Sequence, residues 1–458
     1  MNKFINQNFD QMVADLITWV NIPSILGEPS EQAPFGKEIG NAIAYMETLA
    51  QSMGFVTKNY DGYALEITAG TGEYIIGILG HTDVVPVGDD WDTNPFDAQI
   101  IDGRLVGRGA SDDKGPMMSC LYAMKYLKDN DLIPGDKQLR MIIGTDEEEL
   151  WRGIRYYIEQ AEKLPDIGFT PDGDFPVIYA EKGLLDFDLC YPITSKDSIY
   201  HLESIEGGQS RNSVPAHVTF VIRGENFSQL DTEYLIGELQ GVELQVEAQK
   251  ITGTVKGVTV HAMQPEKGEN AFAKAMLILS RLGTELDAYD FVNLYNRYLS
   301  NDFHGEKLGI FCEDQVSGKL SFNDGGIRYE EQCIRLACNL RYPVEADYEE
   351  LKRNMQARFA NMGMKYTEVE HLSPVYFEKD SKLIQTLMSV YRDVTHDMTE
   401  PIATSGASYA RAMENIVCFG PIYTGQEEVA HEANEYIELE KYKEMTSIYI
   451  QAILGLMK

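Results

Sequence analysis

YIIGILGHTD, residues 74–83, is an apolar run that ends directly in an imidazole and a carboxylate. The same pattern recurs in LRMIIGTDEEE (139–149) and, in shorter form, in IGFTPDGDFP (167–176). Segments with the length of a helix, residues 116–129 and 149–163, separate these strand-like runs, which predicts a β-α-β-α order. We therefore expect an α/β fold with a mixed, largely parallel sheet and helices on both of its faces. Ligands of such sheets bind beyond the carboxyl ends of the strands, which is where these polar side chains fall.

The pattern changes after residue 183. Period-two alternation, as in AHVTFVIRG (216–224), is typical of half-buried antiparallel strands. Helical spacing recurs near residues 229–240, 269–285 and 346–361, and the mixed helix and strand pattern resumes at about residue 380. We therefore predict a first domain made of residues 1–183 and 379–458, interrupted by an inserted α+β domain of residues 184–378.

Composition excludes several classes of partner. The chain of 458 residues has 39 Lys and Arg against 72 Asp and Glu, a net charge of −33. This charge argues against binding to nucleic acid or to an anionic membrane. No apolar run approaches the length of a transmembrane helix. The six cysteines form no C-x-x-C pair and no signal peptide is recognisable, so we expect a cytoplasmic protein with reduced thiols.

One set of side chains has the chemistry expected of ligands for two divalent metal ions. Imidazole and carboxylate ligands without thiolate suit zinc or manganese, and cobalt in vitro. Two such ions can hold a bridging hydroxide and polarise a carbonyl, which points to hydrolysis of an amide. Each residue alone also fits an ordinary structural role, such as a helix cap or a solvated acidic turn. The candidate ligands are His81, Asp112, Glu148, Asp172 and His431.

Neighbours of these ligands suggest a division of labour. Asp83 can hold the second ring nitrogen of His81, since metal-bound histidines usually have such a partner. Of the adjacent pair Asp112-Asp113, only one carboxylate can bridge two ions, and we assign that role to Asp112.

Consecutive glutamates follow the strand of residues 139–144. Glu148 can serve as a ligand while Glu147 acts as the general base for the attacking water. The sequence HEANE that begins at His431 is not a zincin motif, because it lacks the second histidine.

These motifs, in this order, resemble a family of dinuclear metallopeptidases. The family includes bacterial carboxypeptidase G, aminoacylases, succinyl-diaminopimelate desuccinylase and dipeptidases, and the resemblance is strongest to the bacterial PepV-type dipeptidases. It covers essentially the whole chain. The motifs are GHTDVVPVG (80–88), GRGASDDKGP (107–116), GTDEEE (144–149), TPDGDFPVIYAEKG (170–183), GGQSRNSVP (207–215), VHAMQPEKGENA (260–271), NLRYP (339–343) and VAHEANEYI (429–437).

The resemblance implies a ligand set for each ion. His81, Asp112 and Asp172 would hold one ion, and Asp112, Glu148 and His431 would hold the other. It also implies a cis peptide bond between Asp112 and Asp113. The first domain would then be the catalytic one, with Glu147 as general base and Asp83 as the residue that orients His81.

The inserted domain would act as a lid that contributes to substrate binding. His261 matches a histidine that stabilises the tetrahedral oxyanion, although the residues alone also fit a surface-loop histidine. Arg341 matches a group that binds the substrate carboxylate, a task suited to its fork of donors, but a structural salt bridge fits it too. The remaining substrate contacts would come from Asn212 and from the backbone of Ser405, Gly406, Ala407 and Ser408.

The function implied is that of a metal-dependent dipeptidase. It would cleave dipeptides with a free amino terminus through a water that bridges two metal ions. A long lid of this type supplies its histidine within one chain, so we expect a monomer whose only partner is a small peptide substrate. The alternatives are a deacylase or desuccinylase of N-acyl amino acids with the same metal centre, and a non-catalytic peptide-binding relative.

Overall fold

The computed structural model describes residues 1–31, 33–194, 198–208, 210–225, 227 and 230–458. Residue 209 of the GGQSRNSVP motif and residue 229, where a helix is predicted to begin, lie outside these ranges. The described chain divides into two compact units. The first unit is Met1–Tyr179, Tyr376–Ile402 and Ala407–Lys458, and the second is Ala180–Val375 with Ala403–Gly406. The grouping of Ala403–Gly406 with the second unit was not anticipated in the sequence pattern.

The strands follow one another in chain order as listed here: β1 Val56–Tyr60, β2 Ala64–Gly70, β3 Tyr74–His81, β4 Gln99–Ile101, β5 Arg104–Val106, β6 Lys137–Gly144, β7 Ile167–Thr170, β8 Gly173–Asp174, β9 Ile178–Glu181, β10 Gly183–Pro192, β11 Tyr200–Gly207, β12 His217–Gly224, β13 Val242–Glu247, β14 Lys250–Lys256, β15 Glu313–Asp314, β16 Gly318–Lys319, β17 Ser321–Glu330, β18 Cys333–Tyr342, β19 Lys365–Leu372, β20 Val375–Tyr376, β21 Ile402–Thr404, β22 Ile416–Cys418, β23 Pro421–Ile422 and β24 Tyr436–Glu438.

The α-helices are α1 Asn2–Val20, α2 Lys37–Ser52, α3 Lys114–Asp129, α4 Arg152–Gln160, α5 Thr232–Ile236, α6 Ala271–Ser280, α7 Tyr289–Tyr298, α8 Tyr348–Asn361, α9 Lys382–Thr395 and α10 Leu439–Leu456. Short 3-10 helices span Pro265–Lys267, Gly283–Glu285 and Tyr409–Arg411.

A mixed sheet organises the first unit. Its strand order is β1-β2-β6-β3-β7-β22-β9-β20, with β21 paired to β9. The neighbours β6, β3, β7 and β22 run parallel, whereas β1, β2 and β9 pair antiparallel at the two flanks. In register, His81 of β3 lies opposite Gly144 of β6. The carboxyl ends of the central strands therefore meet at one edge, and the predicted fold class is confirmed.

Helix α3 is buried along most of its length, including Met117, Leu121 and Met124. It contacts β2 and β3 on the sheet and also packs against α1 and α10. A helix enclosed on nearly every side needs apolar residues all round, which is what its sequence supplies. This packing holds the start of α3, directly after Asp113, in a fixed position.

One predicted helix needs correction, and one hairpin was not predicted. The helix expected over residues 149–163 begins only at Arg152, because Asp146 accepts hydrogen bonds from the Arg152 main chain and guanidinium, and Trp151 has a φ of 57°. The hairpin of β1 and β2 was not predicted. Its turn contains Asp61 and Gly62, both with positive φ, and Asp-Gly is a recognised hairpin signal.

The second unit is built on an antiparallel sheet of order β13-β14-β12-β11-β17-β18-β10-β19. Helices α6 and α8 pack against its strands, and α7 packs on α6. Phe187, Phe220 and Phe291 belong to the buried core between sheet and helices. Helix α7 was not predicted, since its apolar face is supplied largely by aromatic residues that also favour strands.

A disulfide joins Cys190 and Cys333 in the second unit. The two residues lie on the paired strands β10 and β18, with their Cα atoms 5.9 Å apart, which is within disulfide reach. The prediction of reduced thiols is therefore wrong for this pair, because it could not include a strand register that connects residues 143 positions apart. Cys120 and Cys338 are buried thiols.

Among the residues that the structure describes, no helix combines the length and the apolar character that crossing a membrane requires.

Asp324 forms a buried polar network in the second unit. Its carboxylate accepts hydrogen bonds from Asn270 Nδ2, at 2.7 Å, and from the Tyr295 hydroxyl. Burial nevertheless raises the pKa of Asp324 to about 6 against these hydrogen bonds. The neutral carboxyl is therefore favoured in the folded protein up to about pH 6.

This network predicts a pH-dependent stability difference between the wild type and Asp324→Asn. Because the folded pKa lies above the usual 3.8, the stabilisation is complete below pH 3.8 and is lost as the pH rises through about 6. Relative to the variant, the wild type should lose about 2 kcal/mol of unfolding free energy between roughly pH 4.5 and pH 7.5. Chemical denaturation at both pH values measures the difference, and a constant difference would contradict the prediction.

Candidate metal centre

The candidate site lies at the carboxyl edge of the parallel strands in the first unit. His81 is the last residue of β3, and Asp172 follows the end of β7. Glu147 and Glu148 lie in the turn after β6. Since β6, β3 and β7 are neighbours in the sheet, these side chains arise side by side from residues far apart in the chain.

His81 is fully buried and uses both ring nitrogens. Nδ1 lies 2.9 Å from the main-chain carbonyl oxygen of Asp83 and 3.6 Å from its carboxylate. The hydrogen-bond partner in Asp83 is thus its main-chain carbonyl group. A carbonyl can only accept, so Nδ1 donates in this contact and Nε2 is the ring nitrogen that faces the candidate site. Nε2 lies 3.0 Å from Oδ1 of Asp112.

Asp112 contacts both histidines. Its Oδ1 faces His81, and its Oδ2 lies 3.1 Å from Nε2 of His431. One carboxylate with an oxygen toward each imidazole occupies the position that a bridging ligand needs. The peptide bond between Asp112 and Asp113 is cis, as predicted.

Asp113 supports His81 instead of capping a helix. Its Oδ2 accepts a hydrogen bond from the His81 main-chain N–H at 3.2 Å. Helix α3 begins at the next residue without a side-chain cap from Asp113.

Glu148 contacts His431 and is fixed through its main chain. Its Oε2 lies 3.0 Å from His431 Nε2, and its N–H donates to Oδ2 of Asp83 at 3.1 Å. Asp83 therefore links the strand-end histidine to the turn that carries Glu148. That link was not expected, because the sequence assigned Asp83 to His81 alone.

Ligand atoms converge in two groups that could each hold a metal ion. In one, atoms of His81, Glu147 and Asp172 all lie within 4.8 Å of one another. The other consists of His81, Asp112 and Glu148. A carboxylate oxygen of Glu147 therefore lies within 4.8 Å of candidate ligand atoms of both His81 and Asp172.

The acidic groups of the site crowd one another in a buried environment. Burial raises the pKa of Asp172 to about 7, and the charge of Asp112 adds to the effect. Burial, followed by the charge of Asp172, raises the pKa of Glu147 well above its usual value. Burial lowers the pKa of His431, but hydrogen bonds with Asp112 and Glu148 outweigh it and raise this pKa to about 11. Protons thus neutralise a cluster whose donor set suits divalent cations.

In the second unit, Asn212 and His261 lie on paired segments. The Ala262 N–H donates to the Asn212 carbonyl at 2.8 Å, and Ser213 pairs with His261. Nδ1 of His261 accepts a hydrogen bond from the Met263 N–H at 3.1 Å, so the neutral ring carries its proton on Nε2. His261 is thus suited to donate a hydrogen bond.

Asn323 was missed by the sequence reading. Its Nδ2 donates to the carbonyls of Arg211 and Ser213, at 2.8 and 2.9 Å, and so holds the loop on either side of Asn212. The sequence gives little indication of this role, because a single asparagine within strand β17 belongs to no recognisable motif.

Arg341 is buried and anchored on strand β18. Its Nε donates to Oδ1 of Asn339 at 3.1 Å, and its Nη1 donates to the carbonyl of Ser405. The Gly406 N–H already donates to Oγ1 of Thr404 at 3.0 Å. The predicted row of backbone donors is therefore not supported at Gly406.

Ala407 and Ser408 belong to the first unit and not with Ser405 and Gly406. Ser408 is buried, and its Oγ accepts a hydrogen bond from the Ala410 N–H at 3.3 Å, at the start of a 3-10 helix. The structure thus gives Ser408 a local capping role.

The profile of peptidase family M20/M25/M40 matches residues 77–455. "Putative dipeptidase YtjP" of Bacillus subtilis is 36% identical over 459 residues, which are 98% of this chain and 98% of that protein. "Putative dipeptidase SAB1611c" of Staphylococcus aureus is 36% identical over 463 residues, covering 99% of this chain and 98% of the relative.

Solved structures show the same fold at low sequence identity. Human carnosine dipeptidase 1 has a TM-score of 0.62 at 15% identity, covering 100% of this chain and 98% of that chain. The dipeptidase Dug1p of Saccharomyces cerevisiae also has a TM-score of 0.62, at 12% identity with the same coverage. Aminopeptidase PepT of Bacillus cereus has a TM-score of 0.57 at 15% identity, covering 98% and 99%.

The contacts of Asp112 and His431 predict that substituting these two residues will weaken metal binding in different ways. Asp112→Asn should weaken both ions, because Asp112 faces both histidines. His431→Ala should weaken only the ion on the Glu148 side. Since even groups behind the ligands change metal affinity about 10–100-fold, a lost ligand should cost at least about 100-fold. Equilibrium dialysis with manganese measures the bound stoichiometry, and equal losses in the two variants would contradict the assignment.

Proposed function

The chain belongs to peptidase family M20/M25/M40 and is a metallopeptidase, and from that premise we propose that it is a dipeptidase. Its substrates would be dipeptides with a free amino terminus. The observation that carries the proposal is the carboxylate of Asp112 between the imidazoles of His81 and His431. The names of relatives that are 36% identical over nearly the full chain support the same activity.

Two divalent ions, zinc or manganese, would be held by the acidic cluster. We assign His81, Asp112 and Asp172 to one ion, and Asp112, Glu148 and His431 to the other. The donor set fits, since imidazole nitrogens and carboxylate oxygens converge without a thiolate. When bound, the ions supply Lewis acidity that activates a water and polarises the scissile carbonyl.

Glu147 is the proposed general base. Its carboxylate takes a proton from the attacking water while the water oxygen forms a bond to the carbonyl carbon. The C–N bond then breaks, and Glu147 delivers the proton to the leaving amine. Beside two bound cations the carboxylate of Glu147 would stay ionised, as a general base must.

Residues of the second unit would bind the remainder of the substrate. We assign the terminal carboxylate to Arg341 and Asn212, together with the backbone of residues 405–408 where donors are available. His261 would donate a hydrogen bond from Nε2 to the developing oxyanion. The protonation of His261 inferred from the Met263 contact supports this role.

We also propose that the enzyme works as a monomer in the cytoplasm. The length of the inserted domain supports the proposal, because in the family that the sequence resembles a lid of this length supplies its histidine within one chain. Light scattering of the purified protein tests the assembly, and a stable dimer would contradict it.

Glu147→Gln should retain both ions and lose turnover. Removing a general base typically costs about 10²–10⁴-fold in rate, so kcat should fall by at least about 100-fold. Glu149→Gln is the matched control, because Glu149 lies in the same turn and is exposed. Steady-state kinetics and metal analysis separate the possibilities: loss of an ion in Glu147→Gln would make Glu147 a ligand instead.

Arg341→Gln should raise KM for dipeptides more than it lowers kcat, because the fork of donors for the carboxylate is lost. A charge-assisted contact of this kind is worth about 2 kcal/mol, or roughly 30-fold in KM. Arg335→Gln is the control, since Arg335 lies on the same strand in a partly exposed ion pair with Glu330. An unchanged KM in Arg341→Gln would remove Arg341 from the substrate site.

A further inference from the structure

Arg108 and Glu435 form a buried ion pair behind the metal centre. The side chains are 1% and 0% exposed, and Nη1 of Arg108 lies 2.9 Å from Oε2 of Glu435. Glu435 is the last residue of the HEANE sequence, for which the proposed chemistry has no role. A buried pair of this kind is weak evidence for a purely stabilising function, because the cost of desolvation offsets much of the attraction.

The carboxylate of Glu435 accepts hydrogen bonds from main-chain N–H groups of the loop that leads to Asp112. Oε2 also accepts a hydrogen bond from the Gly109 N–H at 3.0 Å. Oε1 accepts from the N–H groups of Ser111 and Asp112, at 2.8 and 3.1 Å. One side chain therefore fixes the loop up to the residue that faces both histidines.

Arg108 extends the same network to His431. Its Nη2 donates to the His431 carbonyl at 3.3 Å, across 323 positions of sequence. His431 has a φ of 66°, and its side chain is 53% exposed. A histidine in this left-handed conformation, with half of its side chain in solvent, has little packing to hold it. The hydrogen bond from Arg108 supplies a fixed point on its main chain.

We propose that the Arg108–Glu435 pair is the positioning device of one cation site, the one formed by Asp112, Glu148 and His431. The pair sets the separation of Asp112 from His431, which come from opposite ends of the chain and face each other at 3.1 Å. Its own charges cancel, so it orients these ligands without adding to the negative charge of the cluster. The inference rests on the proposed function in so far as cations bind at this cluster.

The test compares Glu435→Gln with Glu438→Gln in the full-length protein. Glu438 is the matched control, because it pairs with Arg104 at 3.5 Å across the neighbouring strands β5 and β24, but in a largely exposed position. Chelator-stripped protein is titrated with manganese alone, and stoichiometry and affinity are measured by calorimetry. Circular dichroism melting of the stripped proteins reports stability independently.

We expect two manganese ions in the wild type and in Glu438→Gln. Glu435→Gln should keep one ion with little change and bind the other about 10–100-fold more weakly, the usual effect of losing a group that orients ligands. Arg108→Lys is a second variant, since lysine keeps the charge but lacks the fork that reaches both Glu435 and His431. It should show the same selective loss.

Two ions of unchanged affinity in Glu435→Gln and Arg108→Lys would overturn the inference and leave the proposed function standing. Equal weakening of both ions, in step with a lower melting temperature, would overturn it too, because the pair would then only stabilise the fold. A wild type that binds no manganese, and equally no zinc, would overturn the proposed function itself. Selective loss of one ion supports both.

Discussion

The parallel pairing of β3 with β6 and β7 is the constraint on which the rest of the site depends. It places the carboxyl ends of three strands at one edge, with His81 opposite Gly144. Side chains that follow those ends must share a small volume, whatever their separation in sequence. Because these side chains are mostly carboxylates, the fold brings together like charges that water only partly reaches. Holding them there requires protons or metal cations, and the imidazoles of His81 and His431 complete a set that suits the latter.

The positions of the candidate ligands are fixed by neighbouring groups that contact them from outside the cluster. The Asp83 carbonyl fixes the His81 ring, while the Asp83 carboxylate fixes the turn that carries Glu148. Asp113 holds the main chain of His81 from the start of a buried helix. These contacts join separate segments through main-chain groups, which do not change with side-chain motion. The same principle extends to Arg108 and Glu435 behind Asp112, so that residues outside the candidate ligand set fix much of its geometry.

Local pattern in the sequence indicates the candidate ligands more clearly than the residues that support them. The candidate ligands were recognisable because most of them follow an apolar strand, and because together they match a known family. The sequence indicated Asp83 as the partner of His81 but not the atom involved, since a residue type does not reveal whether its main chain or side chain makes the contact. The disulfide of Cys190 with Cys333 depends on strand register, and the role of Glu147 depends on distances in space. Such features follow from tertiary structure, which local pattern does not encode.

Hydrolysis of free and N-acetylated dipeptides tests the central claim most directly. The protein is stripped with a chelator, and manganese or zinc is then restored separately before a small panel of matched substrates is assayed. The account predicts no activity in the stripped protein and, with metal, cleavage of free dipeptides in preference to their N-acetyl forms. Cleavage of the acetylated forms alone would contradict the dipeptidase assignment and make the enzyme a deacylase. Inactivity toward both sets with either metal would contradict the proposed chemistry of the site.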